Sequence, residues 1–94
     1  MGQQTQEIVQ NKIEENDLLN IPAKVLLFND EFHSFEDVIF QLIKAINCTL
    51  EIAESLTWEV HSRGKAIVFN GDIGECIRVS SVLEEINLGT QIEY

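Results

Sequence analysis

Apolar positions are scattered and aperiodic over the first 21 residues, where Ile8, Val9, Ile13 and Leu18 lie among Gln, Asn and Glu. That pattern predicts a flexible amino-terminal tail over residues 1–21, closed by Pro22, and a folded unit over 22–94. The run Ala23-Lys24-Val25-Leu26-Leu27-Phe28 is short, apolar and β-prone, as a buried strand should be. Asn29-Asp30-Glu31 interrupts it as a polar turn. Ser34 can then cap a helix through its hydroxyl, with Asp37 three residues on in the manner of a capping box. Phe35, Val38, Ile39, Leu42, Ile43 and Ile46 follow at helical spacing and define one apolar face.

The same grammar repeats. Thr49 is placed to cap a second helix with Leu50, Ala53, Leu56 and Val60 as its stripe, and Gly64 to end it in a left-handed conformation. Lys65 to Phe69 reads as a second strand and Asn70-Gly71 as a turn. Asp72 caps a third helix with Glu75 behind it, and Ile73, Cys76, Val79, Val82, Leu83 and Ile86 make its apolar face. Gly89 is expected to stop that helix, and Thr90 to Tyr94 to form a short last strand. The order β-α-α-β-α-β predicts a single α+β domain with its helices packed on one face of a small sheet.

Composition narrows the function. A chain of 94 residues has room for one modest core and little for separate catalytic and substrate domains. The net charge of −10 argues against nucleic acid, whose phosphates are held by Lys and Arg, and suits a cationic partner or a self-repelling surface. Cys48 and Cys76 have no CxxC spacing and lie in helical-looking apolar patterns, so they are expected as buried free thiols of a reducing compartment. No metal or other cofactor is expected. The first residues lack the basic-then-apolar pattern of a secretory signal, and no run approaches the roughly 18 apolar residues of a membrane span. The expectation is a cytoplasmic protein that does not engage a membrane.

Nucleophile, phosphate-loop and metalloprotease motifs are absent from the sequence, so an enzyme is not expected. Two segments carry more. Asn29-Asp30-Glu31 lies at a strand end and His61, within Val60-His61-Ser62-Arg63-Gly64-Lys65-Ala66, at a helix end. Taken singly, the first is a plain turn and the second a favourable charge at the negative pole of a helix. Taken together, they suit one cationic group. An α-ammonium offers three donors and one charge, and the Asn29 carbonyl, the Asp30 carboxylate and an unprotonated nitrogen of His61 would accept from it. Phe35, Val38 and Val60 beside them would wall a pocket for the first side chain.

The stretches KVLLFNDEFHSFEDV at 24–38 and EVHSRGKAIV at 59–68 resemble the ClpS adaptors of bacterial Clp proteases, which recognise N-terminal degrons. In that family a strand leads to Asn-Asp-Asp, a short loop and a helix, and later to Val-His-x-x-Gly-Lys-Ala. The resemblance covers about 22–88 and implies a three-stranded antiparallel sheet. It implies an α-amine site at Asn29, Asp30 and His61, with Glu31 as a further candidate acceptor, and a side-chain pocket near Phe35, Val38, Thr57 and Val60. The implied partners are N-terminal peptides of substrate proteins and a Clp-family AAA+ unfoldase, engaged through the tail 1–21 and the core. The chain departs from the family pattern at Glu31, where Asp is usual, and at His33-Ser34-Phe35, where Thr-Pro-Met is common. The connection around Asn70–Gly74 is shorter than usual, and the carboxy-terminal segment ends early. The runner-up is a protein-interaction module like the carboxy-terminal domain of the ribosomal stalk protein, which would need neither Asn29 nor His61.

Overall fold

The computed structural model describes residues 19–94, so the expectations for the tail over residues 1–18 lie outside the described residues. Six elements follow in the predicted order: β1 (Pro22–Phe28), α1 (Phe35–Ile46), α2 (Leu50–Arg63), β2 (Lys65–Asp72), α3 (Ile73–Glu84) and β3 (Thr90–Glu93). The strands form one sheet in the order β2-β1-β3, and both pairings are antiparallel. β1 is central because it is the most continuously apolar strand; Val25 and Leu27 are fully buried beneath the helices. Against them pack Leu42 and Ala45 of α1, Ala53 and Val60 of α2, and Cys76, Val79 and Leu83 of α3.

The three helix starts obey the cap chemistry read from the sequence. Asp37, Ile52 and Glu75 donate their backbone N–H to the side-chain oxygens of Ser34, Thr49 and Asp72 at 3.1, 3.2 and 2.8 Å. Gly64 caps α2 at φ 87°, its N–H donating to the Val60 carbonyl at 2.8 Å.

Four local expectations are corrected. Asn70-Gly71 is not a turn: β2 runs on to Asp72 because Pro22, Ala23 and Lys24 supply pairing partners for Asp72, Gly71 and Asn70. Gly71 is needed there for room, since a Cβ would come within 2.7 Å of the Phe69 ring. Gly89 does not stop α3, which ends at Glu84 and is followed by a turn with Asn87 in the left-handed region at φ 65°. Leu50 is exposed rather than part of the α2 stripe, as a first-turn residue outside the helix-packing zone. Cys48 is half-buried in the α1–α2 link, not in a helix; Cys76 is buried in α3, where desolvation pushes its thiol pKa up.

Candidate functional site

The site is assembled where β1, α1 and α2 end or begin side by side. As β1 runs out, the Phe28 N–H donates to the Gly89 carbonyl at 3.0 Å and the Asn29 N–H to the Gly64 carbonyl at 2.9 Å. The second bond joins the strand end to the C-cap of α2, one turn beyond His61. Asn29 and His61, 32 positions apart in the sequence by number (61 minus 29), are thereby brought to one place by a backbone contact.

Asp30 then folds the loop. Its Oδ1 accepts from the N–H groups of Phe32 and His33, both at 2.9 Å, and its Oδ2 lies 2.7 Å from His33 Nδ1. The other ring nitrogen of His33, Nε2, is bonded to the Ile86 carbonyl oxygen at the α3–β3 corner. Burial pushes the Asp30 carboxyl up, but the bonds from the His33 and Phe32 amides and the His33 ring outweigh it and hold its pKa below the usual value. The Asp30 contact, reinforced by the Ile86 carbonyl and only partly opposed by desolvation, raises His33 above the usual imidazole value.

A cavity of about 420 Å³ opens beside this loop. Its lining includes every residue singled out from the sequence: Asn29, Asp30, Glu31, Phe35, Val38, Thr57, Val60 and His61. Its size is within the range of small-ligand pockets, roughly 300–1,000 Å³. The floor is apolar, with Leu27 and Leu88 added to Val38 and Val60, while the polar groups gather on the β1 side and at His61. Thr57 is buried but its hydroxyl donates to the Ala53 carbonyl at 2.7 Å, so it brings no unpaired polar atom to the cavity.

The predicted polar residues are not equivalent. Among the described residues, neither the Asn29 side chain nor the His61 ring is hydrogen-bonded to another side chain or backbone group, so both keep acceptors free. Asp30 is instead occupied by the loop it builds, with both oxygens engaged. Oδ1 has two of these bonds and Oδ2 one, so Oδ2 can still accept a further donor.

Sequence reasoning missed His33 and Trp58. Trp58 lies one helical turn before His61 and is 60% exposed. The Phe35 ring meets it edge-on at 4.7 Å and 81°, and meets His61 at 5.0 Å and 73°, while Trp58 and His61 stand 6.0 Å apart. Phe35 is thus seated on aromatic rings at the cavity mouth and is not among the side chains packed on the core. The i, i+3 spacing of Trp58 and His61 was the available signal for Trp58. For His33 the local signal was its i, i+3 spacing from Asp30, while its other partner, Ile86, is 53 residues away. Among the described residues no His, Cys, Asp and Glu cluster is placed to hold a metal, and no helix is long and apolar enough to cross a membrane.

The chain is similar to several known proteins. Human E3 ubiquitin-protein ligase UBR2 is 41% identical over 58 residues, covering 62% of this chain but 3% of the ligase. The ATP-dependent Clp protease adapter protein ClpS of Thermosynechococcus vestitus is 45% identical over 49 residues, 51% of this chain and 52% of that protein. The chain therefore spans a small fraction of the ligase and the match about half of the adapter. The structure of Agrobacterium tumefaciens ClpS2 bound to L-phenylalaninamide superposes with a TM-score of 0.68 at 19% identity, over 79% of this chain and 96% of that one, a likeness of fold. The model of the family of ATP-dependent Clp protease adaptor proteins, ClpS, matches residues 20–88, and the chain belongs to that family.

Proposed function

We propose that this domain grips the free amino terminus of substrate proteins and passes them to a Clp-type ATP-dependent unfoldase and protease. The observation that carries the reading is the meeting of Asn29 and His61, each with an acceptor free, at the mouth of an apolar cavity. In this reading the α-ammonium donates to the Asn29 carbonyl oxygen and to His61, with Asp30 and Glu31 adding negative charge. The first side chain enters between Phe35, Val38, Thr57 and Val60. The structure of similar fold, ClpS2, is bound to L-phenylalaninamide, a ligand with a free α-amine and an aromatic side chain, and this supports a ligand of that kind here.

The magnitudes suit a transient adaptor. Two or three charge-assisted hydrogen bonds at about 1.5–3 kcal/mol each, with roughly 1.5–3 for a buried side chain, give on the order of 5–12 kcal/mol. Lost translational and rotational freedom takes back about 4 kcal/mol or more, which leaves affinity weak enough for release.

Acetylating a peptide removes the charge and the donors, so its affinity should fall by more than about tenfold, roughly 1.4 kcal/mol, in fluorescence anisotropy. Equal binding of free and acetylated peptides refutes the reading. His61→Ala should weaken the free peptide alone. Delivery is tested separately: removing residues 2–18 should leave peptide affinity unchanged and abolish degradation of a model substrate by the cognate unfoldase and protease. The likeness to the UBR2 ligase favours a second destination for the same captured substrate, a ubiquitin ligase. Recovery of a ligase rather than an unfoldase with the full chain decides for it.

A further inference from the structure

We infer that His33, as an imidazolium, is a positioning residue that clamps the Asn29–Asp30 segment to the α3–β3 corner and so presents Asn29 to the α-amine opposite His61. The inference rests on the proposed α-amine site and goes beyond it, because His33 itself makes none of that site's proposed contacts.

The geometry requires the charge. The Asp30 carboxylate takes two backbone N–H groups on Oδ1, an arrangement that favours its ionised form. Oδ2, 2.7 Å from His33 Nδ1, is then an acceptor, and the Ile86 carbonyl at Nε2 can only accept. A neutral imidazole carries one N–H and satisfies one of these partners; only the imidazolium satisfies both. The raised pKa of His33 agrees with that.

The surroundings are consistent. Asp30 from the loop and Asp37 from α1 face His33 with negative charge. The α3–β3 corner offers only the Ile86 carbonyl, since Glu84 is bonded to Ser80 and Thr90, and Glu85 to Lys44 and Gln41. His33 and Glu31 share the cavity lining with His61, and His33 also lines a second groove of about 480 Å³ with Phe28, Phe32 and Ile86. It stands in the wall between the two. Deprotonation removes one of the two bonds that hold this wall. It also removes a positive charge near the incoming ammonium. The first effect should prevail, because the Asp30–His33 pair faces solvent in part, so the charge change is screened.

The test compares the full chain with His33→Asn, which keeps an amide donor toward Asp30 and has no proton to lose. Anisotropy with one free-amine peptide beginning with Phe is measured across mildly acidic to mildly alkaline pH. Changes in the peptide amine and in His61 act on both proteins, so the ratio of their affinities isolates His33. The wild type should bind about threefold to tenfold more tightly on the acid side, with the ratio falling toward one as His33 loses its proton. A ratio flat or rising with pH overturns the proposal. The clamp is also read without peptide. By NMR the His33 ring should titrate above a free imidazole, an elevation lost in Asp30→Asn, and the Phe32 and His33 amides should lose exchange protection as it titrates. A ring that titrates as a free imidazole, or amides indifferent to it, overturns the clamp even if peptides bind. Failure of free and acetylated peptides to differ, with these signals intact, sinks the α-amine reading and leaves the clamp standing.

Discussion

At the scale of the residue, Phe35 and the Asp30–His33 pair carry the distinctive chemistry. Phe35 stands where a flexible thioether is common in the family, and its ring is held by edge contacts to Trp58 and His61. Such contacts are worth about 0.5–1.5 kcal/mol each beyond buried area. Phe35→Met should therefore reorder affinities among peptides beginning with Leu, Phe, Tyr and Trp by about threefold to tenfold, with little change in melting temperature. Trp58→Ala, which leaves the cavity lining intact but frees the ring, should shift the ranking in the same direction. A large thermal loss with an unchanged ranking would assign Phe35 to the core. The Asp30–His33 pair also makes stability depend on pH. His33 is raised, so its contribution is full below the ordinary imidazole range and is lost as pH rises through its folded value. Asp30 is lowered, so its contribution holds above the ordinary carboxylate range and is lost as pH falls through its folded value. Melting temperature should peak between the two, and His33→Asn should flatten the alkaline limb.

At the scale of the element, the end of α2 does more for the site than its beginning. Gly64 closes the helix at φ 87° and accepts the Asn29 N–H on its carbonyl, so a single residue ends α2 and ties the two halves of the site. A Cβ at Gly64 would meet nothing within 4 Å, so the cost of Gly64→Ala is backbone conformation alone, about 1–2 kcal/mol. The expected loss is several degrees of melting temperature together with weaker peptide binding, as the Asn29 anchor moves. Thr49→Ala makes the contrast. It removes the N-cap at the far end of a 14-residue helix and should cost about 0.5–2 kcal/mol with peptide affinity unaltered. Equal effects of the two variants on peptide affinity, measured by calorimetry, would show that Gly64 acts through general stability only.

At the scale of the whole molecule, a core centred on β1 and three caps read directly from sequence hold a cavity at one end of the sheet. Periodicity, cap residues and turn breakers sufficed to order the six elements, because helix and strand preferences are set within a few residues of the chain. The two motifs also named seven of the side chains that line the cavity, because strand end and helix end are positions that local pattern can locate, and the family resemblance added Thr57. What the pattern could not decide was pairing. Asn70-Gly71 has turn chemistry by itself, yet β1 extends opposite it and its backbone groups join the ladder. Asp30 and His33 can pair within their own loop, yet the second ring nitrogen of His33 is bonded to the carbonyl of Ile86, a contact spanning 53 residues. Sequence alone determined which residue types were available at the site and on which elements. The tertiary structure decided which acceptors were left free, because a hydrogen-bonding group takes the partner that packing brings within reach, and that partner is set by contacts far away in the chain.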